Sequence, residues 1–192
     1  ADLLVLDTPP EQAFDDLTRL AVQVLGTPIA LVSLIDRDRQ WFKSRVGLEV
    51  CSTPRDLALC DHAIRGDAVM VVEDASLDAR FAHNLLVTGD PFIRFYAGAP
   101  LIADDGSALG TLCVIDRQPR QFDAAQRETL ALLARQVMAQ LTLLRQSKHL
   151  ESLLHDLQGR NQLLNQLSQR VPGVIYQYQR LPDGSSRIRM AE

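Results

Sequence analysis

Cys60 and His62 stand one residue apart, and a second thiol, Cys113, follows much later in the chain. A close Cys-x-His pair with a remote thiolate is how a zinc or haem site begins, because Zn2+ takes thiolate and imidazole ligands in a tetrahedron. Beyond His83 no fourth ligand stands out, so the residues call for no metal. A His beside a helix more often bonds to backbone, and a small buried Cys behaves as a hydrophobe. Thiol chemistry is the other possibility. It needs an accessible thiol of low pKa beside a resolving partner, and Cys113 falls inside an apolar strand-like run where a thiolate is disfavoured. The three cysteines, Cys51, Cys60 and Cys113, match no zinc-knuckle spacing or disulfide framework, which leaves free thiols in a reducing compartment as the expectation. No Gly-rich phosphate loop, Ser-His-Asp order or paired-carboxylate motif stands out, so no catalytic residue is expected.

These residues need elements to position them. Thr8 before Pro9-Pro10-Glu11 predicts a helix N-cap, followed by one apolar stripe of Phe14, Leu17, Leu20, Ala21, Val24 and Leu25, closed by Gly26 and Pro28. Ile29 to Ile35 is almost uniformly apolar, as in a strand buried on both faces. Gln40 to Val46 reads as its hairpin partner, Ser52 to Arg55 as loop, and Leu57 to Ile64 as a short helix ended by Gly66. Val69 to Val72 is a further strand, and Asp78 caps a short helix over Ala79 to Ala82. Ile93 to Ile102 and Leu109 to Ile115 form a hairpin around Asp104-Asp105-Gly106-Ser107. The order predicts an α+β fold, an antiparallel central sheet covered by helices.

From Asp123, a helix cap, no proline interrupts the chain until Pro172, enough for a helix of roughly 70 Å. Leu130, Val137 and Leu144 fall seven apart. Leu143, Leu150, Leu157, Leu164 and Val171 do so in a neighbouring phase, and the change near Gln146-Ser147-Lys148 marks the expected exit from the globular part. A sustained heptad makes helices supercoil about a partner, so a homodimeric coiled coil is expected over 146–170, with Asn161 at an a position. The alternative is an amphipathic helix folded back on its own domain. After Pro172-Gly173 the alternating Val174 to Tyr178 and the turn Pro182-Asp183-Gly184 predict the first strand of another domain.

The chain has 46% apolar and 23% charged residues and a formal charge of −4, with both signs interspersed, which argues against a nucleic-acid-binding stripe. Apolar runs are too short to cross a bilayer, and no charged-then-apolar leader opens the chain. A cytoplasmic location is the expectation. The chain opens without Met and closes at Met190-Ala191-Glu192, which reads as a segment of a longer protein.

Seven ordered stretches carry a family resemblance. They are Leu6-Asp7-Thr8-Pro9-Pro10-Glu11 with Phe14-Asp15, Ile29 to Asp36, Arg39 to Ser44, Cys60 to Ile64, Asp78 to Phe81, Ile93 to Leu101, and Leu109 to Asp116. Together they closely resemble bacterial GAF domains at the N-terminal side of signalling proteins, over 8–145. Residues 171–192, with Val171-Pro172-Gly173-Val174-Ile175-Tyr176-Gln177-Tyr178, resemble the opening of a PAS domain. The resemblance implies a non-catalytic sensory module, passing a signal through a dimeric stalk to a PAS and an output domain. That output would be a diguanylate cyclase, a cyclic-di-GMP phosphodiesterase or a histidine kinase. A structural dimerisation module without ligand is the alternative. GAF-fold free-methionine sulfoxide reductases use cysteines, but the motifs around these cysteines do not resemble theirs.

The resemblance also implies a pocket between the sheet and the short helices on one face, approached by Cys60, His62, Asp74, Arg80, Phe81, Asn84, Phe95, Tyr96 and Cys113. Its ligand or cofactor is not named by the residues. Arg80 and Asp74 would orient a polar ligand against an aromatic wall. Neighbouring strand residues point to opposite faces, so only one of Phe95 and Tyr96 can line a given cavity, and likewise Trp41 and Phe42.

Overall fold

Seven consecutive apolar or small residues, Ile-Ala-Leu-Val-Ser-Leu-Ile, make strand β1 (Ile29–Ile35), and all seven are buried. Such a strand must be covered on both faces, and the rest of the fold supplies the cover. The computed structural model describes residues 5–170, 176–181 and 185–190, with side chains described as far as 166 in the long helix and 187 in the last strand. Helix α1 (Gln12–Leu25) precedes β1, followed by β2 (Arg39–Val46), β3 (Ser52–Pro54), a 3-10 turn (Arg55–Leu57), α2 (Leu59–Ala63), β4 (Met70–Val72) and α3 (Leu85–Thr88). Then come β5 (Phe95–Ile102), β6 (Ala108–Asp116), α4 (Ala124–Arg170) and a hairpin of β7 (Tyr176–Arg180) and β8 (Ser186–Met190). The main sheet has the order β3-β2-β1-β6-β5-β4 and is antiparallel throughout. An α+β fold with helices on an antiparallel sheet is what the sequence predicts.

Period-two alternation sorts the sheet into two faces. Ala30, Val32, Leu34, Trp41, Phe95, Ala97, Leu112 and Val114 form one core with Phe14, Ala21 and Leu25 of α1 and Leu130, Val137 and Leu141 of α4. Ile29, Leu31, Phe42, Tyr96, Cys113 and Ile115 form the other with Leu59, Cys60 and Ala63 of α2 and Val87 of α3. Trp41 and Phe42 are therefore split between the two, and so are Phe95 and Tyr96.

Three local expectations are corrected. Thr8 does not cap α1, which begins at Gln12 with Glu11 as N-cap and no side-chain cap bond. The cause is non-local: Lys43 on β2, with its side chain fully buried, donates to the Thr8 hydroxyl at 2.7 Å, the Pro9 carbonyl at 2.9 Å and the Glu11 carboxylate at 2.7 Å, holding this segment extended. Residues Ser52 to Pro54 are not loop but an edge strand, paired as Gln40↔Thr53 and Trp41↔Ser52. Asp78 caps no helix. Its carboxylate accepts from the Arg80 backbone N–H at 2.9 Å and from the Arg80 guanidinium, which makes a turn; the helix comes later, with Asn84 accepting the Leu86 N–H at 2.8 Å as N-cap of α3. At the end of α1, Gly26 takes φ 65° and donates to the Val22 carbonyl, the left-handed stop that glycine adopts without penalty.

The contacts divide the chain into two units between Gln146 and Ser147. Asp123 starts α4 with a reciprocal cap: its carboxylate accepts from the Gln126 N–H at 2.8 Å, and the Gln126 side chain accepts from the Asp123 N–H at 3.0 Å. In the first unit Leu130 and Val137 are fully buried and Leu144 is partly buried against the same core, so this heptad run serves the domain itself. The second phase is different: Leu143, Leu150, Leu157 and Leu164 are 54% to 62% exposed. In the second unit β7 and β8 pair as Tyr178↔Ile188. The PAS expectation falls in part on 171–175, 182–184 and 191–192, which lie outside the described residues. Among the described residues no helix is long and apolar enough to cross a membrane.

Candidate functional site

Strands β1, β2, β3, β5 and β6 and helices α2 and α3 surround a cavity of about 140 Å³. Its apolar walls include Leu31, Phe42, Ile93 and Ile115, and its polar ones Gln40, Thr53, Cys60 and Tyr96. Exposed Val50 and Asp90 stand at its margin, so it reaches solvent. Cross-strand pairing sets Gln40 and Thr53 side by side. The Thr53 hydroxyl is buried and has no hydrogen-bond partner among the described residues. A buried hydroxyl without a partner costs free energy, and here it borders a space where a ligand can satisfy it. A larger trough of about 740 Å³, lined by Val69, Ile102, Arg135 and Met138, is an open surface between the β4–β5 edge and α4. Asp67, Asp104 and Thr142 also line it, but it is open where a ligand site is enclosed.

The cavity's inner end is a sulfur centre. Cys60 Sγ accepts from the Thr111 hydroxyl at 3.1 Å, the Tyr96 hydroxyl at 3.3 Å and the Gln40 side-chain amide at 3.3 Å, and lies 3.8 Å from Cys113 Sγ. Burial alone would push the Cys60 thiol up, but the hydrogen bonds from Cys113, Thr111 and Tyr96 outweigh it and bring it down to about 6. Cys113 is pushed up, by its hydrogen bond to Cys60 and then by burial. Burial also pushes the Tyr96 hydroxyl well up, with Cys60 adding to it. Cys51 is exposed and free.

Tyr96 reaches Cys60 because the next residue on its side of β5 is glycine. A Cβ at Gly98 would meet the Tyr96 hydroxyl oxygen at 2.2 Å and its ring carbons at 2.7 and 2.9 Å. Gly98→Ala should therefore lower stability by about 2 kcal/mol, read as a lower urea midpoint at unchanged slope. Adding Tyr96→Phe, which removes the atom in closest conflict, should restore part of it.

The site residues predicted from sequence separate into four groups. Cys60 and Tyr96 line the cavity, and Cys113 backs Cys60. His62, Arg80 and Phe81 form a stack beside it: His62 meets the Phe81 ring edge-on at 4.9 Å, and the Arg80 guanidinium lies 4.9 Å from the same ring. Asn84 and Asp74 hold backbone, Asn84 by capping α3 and donating to the Leu57 carbonyl at 3.0 Å, and Asp74 by accepting from Ser76. Phe95 faces the other core and packs against Phe122 at 5.4 Å. Gln40, Thr53 and Thr111 were not singled out from sequence. Only Thr111 carried a signal, as a polar residue in the otherwise apolar β6; Gln40 and Thr53 lie on strands with no such apolar run. Among the described residues no group of three His, Cys, Asp or Glu is placed to hold a metal ion.

His62 is held below its ordinary value, by burial and then by the nearby Arg65. A lowered His pKa gives stability that is present above the unfolded value of 6.5 and is lost as the pH falls through the folded value. His62→Gln should thus lose less melting temperature than the parent between pH 7.5 and pH 5, measured by thermal unfolding in parallel.

A profile of the GAF domain family matches residues 9–141, which is most of the chain. The chain belongs to the GAF domain family. It is 44% identical over 149 residues to the cyclic di-GMP phosphodiesterase PA2567 of Pseudomonas aeruginosa, an alignment covering 77% of this chain and 25% of that protein. The chain thus spans about a quarter of the length of that relative. Among solved structures, the GAF domain of a phosphoenolpyruvate-protein phosphotransferase from Coxiella burnetii superposes with a TM-score of 0.62 at 17% identity, covering 76% of this chain and 90% of that one. A free methionine-R-sulfoxide reductase from Neisseria meningitidis does so with a TM-score of 0.59 at 19% identity, covering 75% and 85%. At these identities the two structures bear on the GAF fold and not on chemistry. GAF domains are regulatory modules of signalling proteins, and the cavity lies under the short helices of this one.

Proposed function

We propose that this GAF domain is the cytoplasmic, non-catalytic sensor of a longer signalling protein that turns over cyclic di-GMP, and that its cavity takes a small ligand. Its volume compares with that of an engineered cavity of about 150 Å³ that takes benzene. The fitting ligand is a benzene-sized, mostly apolar molecule carrying one or two hydrogen-bonding groups. The observation that carries this is the unsatisfied Thr53 hydroxyl beside Gln40 in a mostly apolar chamber. The similarity to a cyclic di-GMP phosphodiesterase supports the choice of output.

Two copies pair through the exposed leucine phase of α4, and ligand occupancy biases how those helices pack. A ligand shifts such an equilibrium only by its differential affinity for the two arrangements. The change then passes to a PAS domain beginning near 171 and on to the output domain. A thermal-shift screen of small aromatic and branched aliphatic metabolites tests the ligand reading. A native-state ligand at 100 times its Kd stabilises by about 2.7 kcal/mol. At least one compound should raise the melting temperature, and Phe42→Trp, which narrows the chamber, should abolish the rise. Failure of every compound in a chain that still dimerises would favour a purely structural dimerisation module.

A further inference from the structure

We propose that Cys60 and Cys113 are an oxidisable dithiol, which a hydroperoxide converts to a disulfide joining α2 to β6. Three observations place the chemistry here. The two sulfurs are 3.8 Å apart although 53 residues separate them in sequence, and a disulfide needs about 2.05 Å, so the required approach is short. Cys60 forms part of the wall of a chamber that reaches solvent, large enough for a peroxide molecule little bigger than water. Three side-chain donors, from Thr111, Tyr96 and Gln40, converge on the Cys60 sulfur, the arrangement that stabilises a thiolate without a neighbouring cation. The lowered Cys60 and raised Cys113 pKa values assign the roles: Cys60 attacks, and Cys113 keeps its proton until the second step.

In the first step Cys60 thiolate attacks the distal oxygen of the hydroperoxide. An S–O bond forms, the O–O bond breaks, and the leaving alkoxide or hydroxide takes up a proton as alcohol or water. Cys60 is then a sulfenic acid, oxidised by two electrons. In the second step Cys113 sulfur attacks Cys60 sulfur, the S–S bond forms, the S–O bond breaks, and the departing hydroxide leaves as water with the Cys113 proton. A small dithiol reductant reverses the bond by exchange. The bond would draw the Cys60 sulfur away from Gln40 and so alter the chamber wall. This modification stands apart from any ligand, because it uses the chamber only as a path for the oxidant.

The test uses the full chain carrying Cys51→Ser, so that the exposed thiol cannot link two molecules. After exposure to hydrogen peroxide the protein is denatured in an alkylating agent and its thiols are counted. The expected result is a fall from two free thiols to none, with a peptide map that joins Cys60 to Cys113 and a return to two after dithiothreitol. Adding Cys113→Ser should leave a dimedone-reactive sulfenic acid on Cys60, while Cys60→Ser should leave Cys113 unlabelled. Two thiols still free under conditions that oxidise Cys51 in the parent chain would overturn the proposal. So would oxidation of Cys60 beyond the sulfenic acid with no link to Cys113, or labelling of Cys113 in place of Cys60. If either serine variant fails to fold, the peptide map of the Cys51→Ser chain decides alone.

Discussion

A chain carrying Leu157→Glu and Leu164→Glu should sediment as a monomer at concentrations where the parent is dimeric. Both leucines are more than half exposed in the single chain, and they recur seven apart on a helix of 47 residues. Burying a leucine is worth about 1.5–3 kcal/mol, and a pair of helices buries both from each copy. The substitutions also set like charges against each other across the seam. Together these should weaken association by at least about 1,000-fold. The first unit should be unaffected, because its core uses Leu130, Val137 and Leu141 of the same helix instead. Sedimentation equilibrium reads the first effect, and the thermal midpoint of the globular unit reads the second. A double variant that associates as tightly as the parent would place the seam elsewhere.

Lys43→Met should cost about 3 kcal/mol, a fall of roughly 6–12 °C in the melting temperature of a unit this size. The Lys43 side chain is fully buried, and its ammonium is used up on Thr8, Pro9 and Glu11 while it lies 5.2 Å from the centre of the Phe14 ring. Methionine keeps the volume and removes every one of those bonds. It leaves the half-buried Thr8 hydroxyl and the Pro9 carbonyl without their charged donor, although Glu11, being 36% exposed, recovers part of its hydration. The loss should fall mainly on the entry to α1, seen as faster amide exchange over Phe14 to Leu17. A shift below about 2 °C would mean that the segment before α1 is held by other contacts.

The same lysine shows where reading from sequence stops. An apolar stripe is a local signal, and α1, β1 and the start of α4 were legible from theirs. The entry to α1 was not, because Thr8 is an adequate cap by type and position, but its hydroxyl donates back to the Val5 carbonyl and accepts from Lys43 on β2. Asp78 failed likewise: its carboxylate bonds to Arg80, two residues on, in a turn that competes with helix. Strand β3 was missed because Ser52-Thr53-Pro54 has no apolar pattern; its pairing with β2 defines it.

The candidate site was legible in half. Alternation says that Phe95 and Tyr96 part company but not which of them faces the short helices, since both sides of this sheet are buried. Gln40 meets Thr53, and Cys60 meets Cys113, only through pairings between distant segments. The two seven-spaced leucine runs were both visible, but a heptad does not say whether its partner is the chain's own sheet or another chain. Burial separates them: Leu130 and Val137 are inside, Leu150 and Leu157 are not.

Cross-linking through single cysteines tests that pairing most directly. In a Cys51→Ser background, with Cys60 and Cys113 buried, Leu157→Cys lies on the leucine seam and His155→Cys two residues off it. Mild oxidation should link Leu157→Cys chains into a covalent dimer of twice 21.4 kDa and leave His155→Cys chains mostly single. Equal linking at both positions, or none at either in a chain that sediments at 21.4 kDa, would contradict the paired helix on which signalling through α4 depends.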